Sequence, residues 1–91
     1  MGMAICMVEL TSIARGIETS DDMIKAAQVT LLRGTTVCPG KYMVIVGGET
    51  GAVRAALEAG LAKGGEFIVD SLLIPNVHEQ LFPAIAGTQE V

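Results

Sequence analysis

Hydrophobic and polar positions along the 91 residues follow two different periods, and the changes of period predict the order of secondary-structure elements. Four short runs rich in β-branched and other large apolar residues predict strands, at 4–11, 29–34, 42–48 and 67–74. The first run is apolar on both of its faces, which is typical of a strand that is covered on both sides. We expect Pro75 to end the fourth strand, because proline cannot donate a backbone hydrogen bond to a neighbouring strand.

Two segments with apolar residues three or four positions apart predict helices. Ser12 is suited to cap the first helix, which is expected to extend to about Ala27. The apolar residues of this helix form one stripe, made up of Ile13, Ile17, Ile24 and Ala27.

The second helix is predicted over residues 51–63, with Thr50 as its cap and the pair Gly64-Gly65 as its end. The residues expected to face inward are Val53, Ala56, Leu57, Gly60 and Leu61. A third, short helix is expected over residues 78–86 at the C-terminal end of the chain.

The resulting order is β-α-β-β-α-β followed by a short helix. This order predicts an α/β (more strictly α+β) ferredoxin-like, split βαβ fold: a four-stranded antiparallel sheet with two helices on one face. The length and the lack of repeats or linkers predict one domain over residues 1–91. Because many unrelated functions use this fold, the fold class alone does not decide the function.

The composition indicates self-association. Hydrophobic residues make up 51% of the chain and charged residues only 18%, which is more apolar material than one small core needs. A net charge of −4 argues against binding to nucleic acid or to an anionic membrane, since both require a basic patch. No signal peptide or membrane helix is predicted, and the two cysteines are therefore expected to be free thiols or ligands in the cytosol.

One cysteine stands in the segment "VCPGKY", between the second and third predicted strands. Pro39 and Gly40 suit the second and third positions of a type II turn, so Cys38 is expected at a rigid loop. The other cysteine, Cys6, is assigned to the core because free cysteine is commonly buried. On these residues alone, a plain connecting turn with an incidental thiol at Cys38 remains the alternative.

Three segments resemble the bacterial microcompartment shell domain: "DDMIKAAQV" (21–29), "YMVIVGGETGAVRAALEAG" (42–60) and "DSLLIPNVHEQL" (70–81). The resemblance covers the chain from Ala4 to Gly87. Through the "CPGKY" and "IPNVH" segments, the chain is most similar to two iron–sulfur-bearing kinds of shell protein. One is the first half of the tandem-domain protein of propanediol-utilisation compartments, and the other is the single-domain shell protein of glycyl-radical compartments.

The resemblance implies a flat cyclic hexamer, or a pseudo-hexamer, that tiles with other shell proteins around enclosed enzymes in the bacterial cytoplasm. The loop that would line the central pore consists of Val37, Cys38, Pro39, Gly40 and Lys41. The residues that would contact the next tile are Lys25, Asn76 and His78. Asn76 stands where the family often has an arginine, so the usual edge contact is not assured. Whether the chain is a single-domain protein or half of a tandem one is left open.

The resemblance also implies an iron–sulfur cluster, and the residues restrict how it could be held. A [4Fe–4S] cubane usually needs four thiolates, and Cys38 has no second accessible cysteine near it in sequence. Any cluster must therefore take Cys38 from several chains around the pore axis. Lys41 would favour an anionic cluster electrostatically. The expected role is electron transfer across the shell, with enclosed redox enzymes as partners.

Three other functions remain compatible with these residues. The first is a shell tile whose thiol-lined pore passes a metabolite and holds no cluster. The second is a ferredoxin-like regulatory module that binds a small ligand between subunits. The third is an enzyme or redox sensor with Cys38 as a reactive thiol, but the sequence shows no paired carboxylates, phosphate loop or neighbouring base for it. The chain is expected not to be an enzyme.

Overall fold

Four antiparallel strands form one sheet: β1 (Met3–Leu10), β2 (Thr30–Cys38), β3 (Lys41–Glu49) and β4 (Ile68–Val77). In the computed structural model, which describes residues 2–78, 82, 83 and 85, the strands lie in the order β2-β3-β1-β4. This is the order of a split βαβ fold, so the predicted fold class is confirmed. β1 is a central strand, as its two apolar faces indicate, and β2 and β4 form the edges.

Two helices, α1 (Ile13–Ala26) and α2 (Thr50–Gly64), cover one face of this sheet. α1 lies over β2 and β3, and α2 lies mainly over β1. Between the helices and the sheet is a core of fully buried side chains: Ala4, Cys6, Val8, Leu10, Met23, Val44, Val46, Val53 and Ala56. On the opposite face, Phe82 packs beside Gly47 of β3 and Leu32 of β2.

The helix ends agree with the sequence prediction in three of four places, including the end of α1 at Ala26. The Arg15 backbone N–H donates a hydrogen bond to Ser12 Oγ at 3.1 Å, which confirms the cap of α1. Gly65 follows α2 with φ +52°, and its N–H donates to the carbonyl oxygen of Leu61. The predicted cap of α2 is wrong. Thr50 is already helical, and its hydroxyl instead donates to the carbonyl oxygen of Gly2 at 2.9 Å, which fixes the start of β1 beside α2.

The apolar stripe of α1 does not face the core of its own chain. Ile13, Ile17 and Ile24 are 39%, 53% and 39% exposed. The buried residues of this helix are Gly16, Thr19, Ser20 and Met23. At 100° per residue, the stripe lies about 90° around the helix from the centre of this buried set. The small residues face inward because α1 approaches the sheet and α2 closely. On α2, Leu61 is likewise 37% exposed rather than inward-facing.

β4 continues through Pro75 instead of ending there, so that prediction is wrong. Between the pairs Met3↔Val77 and Ile5↔Ile74, two residues of β4, Pro75 and Asn76, stand opposite the single residue Ala4. This is a β-bulge, and Asn76 has the positive φ of +58° that such an irregularity accommodates. Proline is tolerated because β4 is an edge strand and the bulge needs no hydrogen bond from it.

The third predicted helix lies largely outside the described residues. His78 is not helical, whereas Phe82, Pro83 and Ile85 have helical backbone conformation. Residues 79–81, 84 and 86 of the predicted range are not described.

Candidate functional site

The β2–β3 hairpin carries the five residues that were predicted to form one loop. The loop is shorter than expected, because Cys38 is the last residue of β2 and pairs with Lys41 of β3. Only Pro39 and Gly40 remain outside the strands, and Gly40 has the positive φ of +81° that the third position of a type II turn requires. Val37, Pro39 and Gly40 are exposed, so the hairpin tip extends away from the core.

Tyr42 lies at the base of this hairpin and is not among the residues predicted from the sequence. Its side chain is partly buried against the core and lies between α1 and β2. A Cβ atom at Gly16 of α1 would lie 2.5 Å from Tyr42 Cδ2, and one at Gly34 of β2 would lie 2.8 Å from Tyr42 Oη. The glycine at position 34, inside a strand, is the sequence signal that could have revealed this close approach.

The hairpin and the predicted tile-edge residues lie at opposite ends of the sheet. Leu10, at one end of β1, pairs with Tyr42, whereas Met3, at the other end, pairs with Val77 of β4. Lys25 belongs to the last turn of α1, which leads to the start of β2 at that second end. With about 3.4 Å per residue, the nine residues of β3 separate the two ends by roughly 27 Å.

The three edge candidates are all accessible. Lys25 is exposed, and its Nζ lies 2.8 Å from Asp21 Oδ2; the hydrogen bond to this carboxylate, and then its charge, raise the pKa of Lys25. Asn76 is exposed in the bulge, with its Oδ1 next to Gly2. His78 is exposed immediately after β4. The structure therefore brings these residues to one end of the subunit, and their role in a contact stays a prediction.

Cys6 lies in the core, as predicted, and is separated from the hairpin end of the sheet by half of β1. Its pairing with Val46 and Leu73 places it in the middle of the sheet. Burial raises the pKa of its thiol to about 11, so it stays protonated at neutral pH and is a poor metal ligand. Among the described side chains, no three His, Cys, Asp or Glu residues are close enough to hold a metal ion.

Two apolar surfaces lie toward the two edges of the sheet. The first, the α1 surface, consists of Ile13, Ile17 and Ile24. It lies about 100° around α1 from Met23, which contacts Gly60 of α2. The second, the β4 surface, lies at the other edge of the sheet and consists of Val69, Leu72 and Ile74, which are 46%, 49% and 42% exposed.

No helix in the described part of the chain is long and apolar enough to cross a membrane.

Comparison with known proteins gives consistent matches. Residues 4–77 match the family model of the BMC domain. The bacterial microcompartment shell protein PduT of Citrobacter freundii is 47% identical over 91 residues, which are all of this chain and 50% of PduT. The carboxysome shell protein CsoS1 of Prochlorococcus marinus is 39% identical over 90 residues, covering 96% of this chain and 87% of CsoS1.

A solved structure is consistent with the family match and with the two similar proteins. The crystal structure of a microcompartment protein from Desulfitobacterium hafniense is 45% identical in sequence and superimposes with a TM-score of 0.91. The match covers 96% of this chain and 48% of that one. The chain thus spans about half the length of PduT and of the D. hafniense protein, and most of the length of CsoS1.

Proposed function

Because the chain belongs to the BMC domain family of microcompartment shell proteins, we propose that it is a structural subunit of a cyclic hexameric shell tile with a redox-active pore. The family match over residues 4–77 is the main evidence for the structural role. The shell lies within the bacterial cytoplasm, and the partners of the tile are copies of this domain and other shell proteins. The proposed role is not catalytic.

The two apolar surfaces are suited to the contacts of a closed ring. A closed ring is built from head-to-tail contacts, in which one surface of each subunit meets a different surface of the next. The α1 surface and the β4 surface lie toward opposite edges of the sheet and together expose six large aliphatic side chains. Covering the α1 surface with the β4 surface of a neighbour would bury both, and repetition of the contact would close the ring.

The position of the hairpin is consistent with a central pore. In a ring held by those two lateral surfaces, one end of every sheet points toward the axis and the other toward the rim. We assign the hairpin with Cys38 and Lys41 to the axis, and the end with Lys25, Asn76 and His78 to the rim. The separation of these two groups along the sheet fits this assignment.

A [4Fe–4S] cluster at the axis would take its thiolates from Cys38 of several subunits. A thiolate is the ligand that such clusters use, and the backbone places Cys38 at the exposed end of the subunit, so the residue type and its position fit. Lys41, which pairs with Cys38, would add positive charge near such an anionic cluster. When bound, the cluster would supply one-electron transfer between the two sides of the shell.

The number of ligands depends on the length of the natural protein. Six identical chains offer six thiolates, which one four-iron cluster cannot use equally. If the chain is the first half of a tandem protein, as its 50% coverage of PduT would allow, three such proteins offer three Cys38 thiolates. One iron atom would then be left for a ligand that is not a cysteine.

Anaerobically purified protein tests the proposal, with Cys38→Ser as the variant and Cys6→Ala as the matched control. We expect the wild type and Cys6→Ala to form brown rings with iron, sulfide and broad visible absorption, and Cys38→Ser to form a colourless ring. A wild-type ring that stays colourless after reconstitution would contradict the cluster and leave a shell tile with a thiol-lined metabolite pore. A monomeric wild type would contradict the ring itself.

A further inference from the structure

Tyr42 is the residue closest to the hairpin tip that packs against the core. In register it pairs with Leu10 of β1 and with Thr36 of β2, on the face that the helices cover. The Cβ, Cγ and Cδ2 end of its side chain lies against Gly16 of α1, and the hydroxyl end lies against Gly34 of β2. The single aromatic ring of Tyr42 thus lies between two elements, α1 and β2, and both glycines lack the side chain that would occupy its place.

The hairpin tip beyond Tyr42 makes few other packing contacts with the rest of the subunit. Thr36, Val37, Pro39 and Gly40 are exposed, and a Cβ added at Gly40 would meet nothing within 4 Å. The β2–β3 register is also irregular between Thr36 and Cys38, so the ladder there is locally disrupted. A two-stranded ribbon with little packing changes its direction easily, because the ladder holds the strands together but does not fix them to the core.

We propose that Tyr42 is the positioning residue of the pore hairpin: its ring, held between Gly16 and Gly34, fixes the direction of the hairpin and hence the position of Cys38. This inference rests on the proposed function insofar as Cys38 is a ligand at the ring axis. Ligands shared between subunits must converge within a few tenths of an ångström, so a residue that orients the ligand strand controls cluster retention.

The contact at Gly34 allows a sharp test. A methyl group at position 34 would lie 2.8 Å from Tyr42 Oη but 3.6 Å from Cζ, which is an ordinary contact distance. Gly34→Ala should therefore displace the aromatic ring of Tyr42. Adding Tyr42→Phe to that variant should return the aromatic ring to its wild-type position, because it removes the hydroxyl group alone. At Gly16 the added methyl would lie 2.5 Å from Cδ2 and 2.7 Å from Cβ and Cγ, so Tyr42→Phe should not rescue Gly16→Ala.

The first measurement is amide hydrogen exchange of residues 36–41, which needs neither a cluster nor a ring. Tyr42→Leu and Gly34→Ala should speed exchange of this segment about tenfold, since exposed hairpins exchange through local opening. The Tyr42→Phe/Gly34→Ala double variant should return to the wild-type rate. Val46→Ala is the matched control, because Val46 is fully buried on the same strand and face but far from the tip. It should lower global stability without changing exchange at the tip.

The second measurement is iron retention and the electron paramagnetic resonance spectrum of anaerobic protein. Tyr42→Leu should retain iron about tenfold less tightly and broaden the signal, whereas Tyr42→Phe and Val46→Ala should match the wild type. If Tyr42→Leu behaves like Val46→Ala in both measurements, Tyr42 is only a packing residue and the proposal fails. If the wild type holds no iron, the cluster proposal fails, and the exchange data and the Gly34 rescue alone then confirm or overturn the role of Tyr42.

Discussion

The guanidinium group of Arg15 donates a hydrogen bond to the backbone carbonyl oxygen of Lys63, with 3.0 Å between Nη1 and O. Lys63 lies in the last turn of α2, where carbonyl groups have no partner within the helix. The same guanidinium lies over the ring of Phe67, 4.9 Å from its centroid. Arg15 thus joins α1 to the end of α2 and to the turn that precedes β4, and it places a positive charge where the helix dipole favours one.

Replacing Arg15 with methionine should lower the free energy of unfolding by about 1–2 kcal/mol, because the carbonyl of Lys63 and the face of Phe67 both lose their cationic partner. The expected loss is modest because the Arg15 side chain is 39% exposed and water screens the charge. Urea unfolding measures the change. Arg54→Met is the control on the exposed face of α2 and should change stability by less than about 0.5 kcal/mol. Equal losses in both variants would mean that the Lys63 and Phe67 contacts contribute nothing.

Gly60 and Gly51 of α2 should respond in opposite directions to replacement by alanine. A Cβ at Gly60 would lie 2.7 Å from Sδ and 2.9 Å from Cγ of the fully buried Met23, so Gly60→Ala should cost about 1–3 kcal/mol through overpacking. A Cβ at Gly51 would meet nothing within 4 Å, so Gly51→Ala should gain up to about 1 kcal/mol from helix propensity. Thermal unfolding of the two variants checks this. Stabilisation by Gly60→Ala would show that the helices can separate at no cost.

The order of strands and helices could be predicted because periodicity reports which residues are apolar and how far apart they lie. Periodicity does not report what covers them. Ile13, Ile17 and Ile24 form a helical stripe whether the covering surface is their own sheet or another subunit, and here the small residues around Gly16 face the sheet instead. Pro75 predicts a strand end because the sequence does not show that β4 is an edge strand with a bulge.

The hairpin could be located from Pro39 and Gly40, since their backbone preferences are local and independent of the rest of the chain. The packing of Tyr42 could not, because it depends on α1 crossing β3 so that Gly16 and Gly34 come to opposite ends of its aromatic ring. The placement of Lys25 and Asn76 at the end away from Cys38 likewise follows only from the strand register. The sequence thus predicted which residues to consider, and long-range pairing determined how they are grouped.

Thr19→Val should stabilise the protein. Thr19 is fully buried, and in the part of the chain that the structure describes its hydroxyl has no hydrogen-bond partner. Valine has the same shape and a similar helix propensity, so the substitution removes an unsatisfied polar group at little other cost, and a gain of about 1 kcal/mol is expected. Thr19→Ser is the matched control; it keeps the hydroxyl and loses the methyl group, and it should destabilise by about 1 kcal/mol. Loss of stability in Thr19→Val, measured by urea unfolding, would show that the hydroxyl is satisfied.

Burial of Cys6 should make the stability of the protein fall at alkaline pH. The pKa of its thiol is raised from 9.0 to about 11 in the folded chain, so the unfolded chain loses this proton at lower pH than the folded one. Stability from this group is therefore fully present below pH 9 and is lost as the pH rises toward 11, by about 2–3 kcal/mol in total. Other alkaline effects are common to wild type and variant, so the difference in unfolding free energy between wild type and Cys6→Ala isolates the thiol.

The difference in unfolding free energy between wild type and Cys6→Ala should favour the wild type at pH 7.5, where Cys6→Ala loses packing in the core. This difference should shrink by about 2–3 kcal/mol by pH 11. Urea unfolding under reducing conditions at intervals of half a pH unit measures the slope. A matched series in the Cys38→Ser background separates the two thiols, because Cys38 is removed from both members of the pair. A difference that stays constant from pH 8 to pH 11 would mean that the Cys6 thiol is as accessible to solvent in the folded chain as in the unfolded one, and its place in the core would then be wrong.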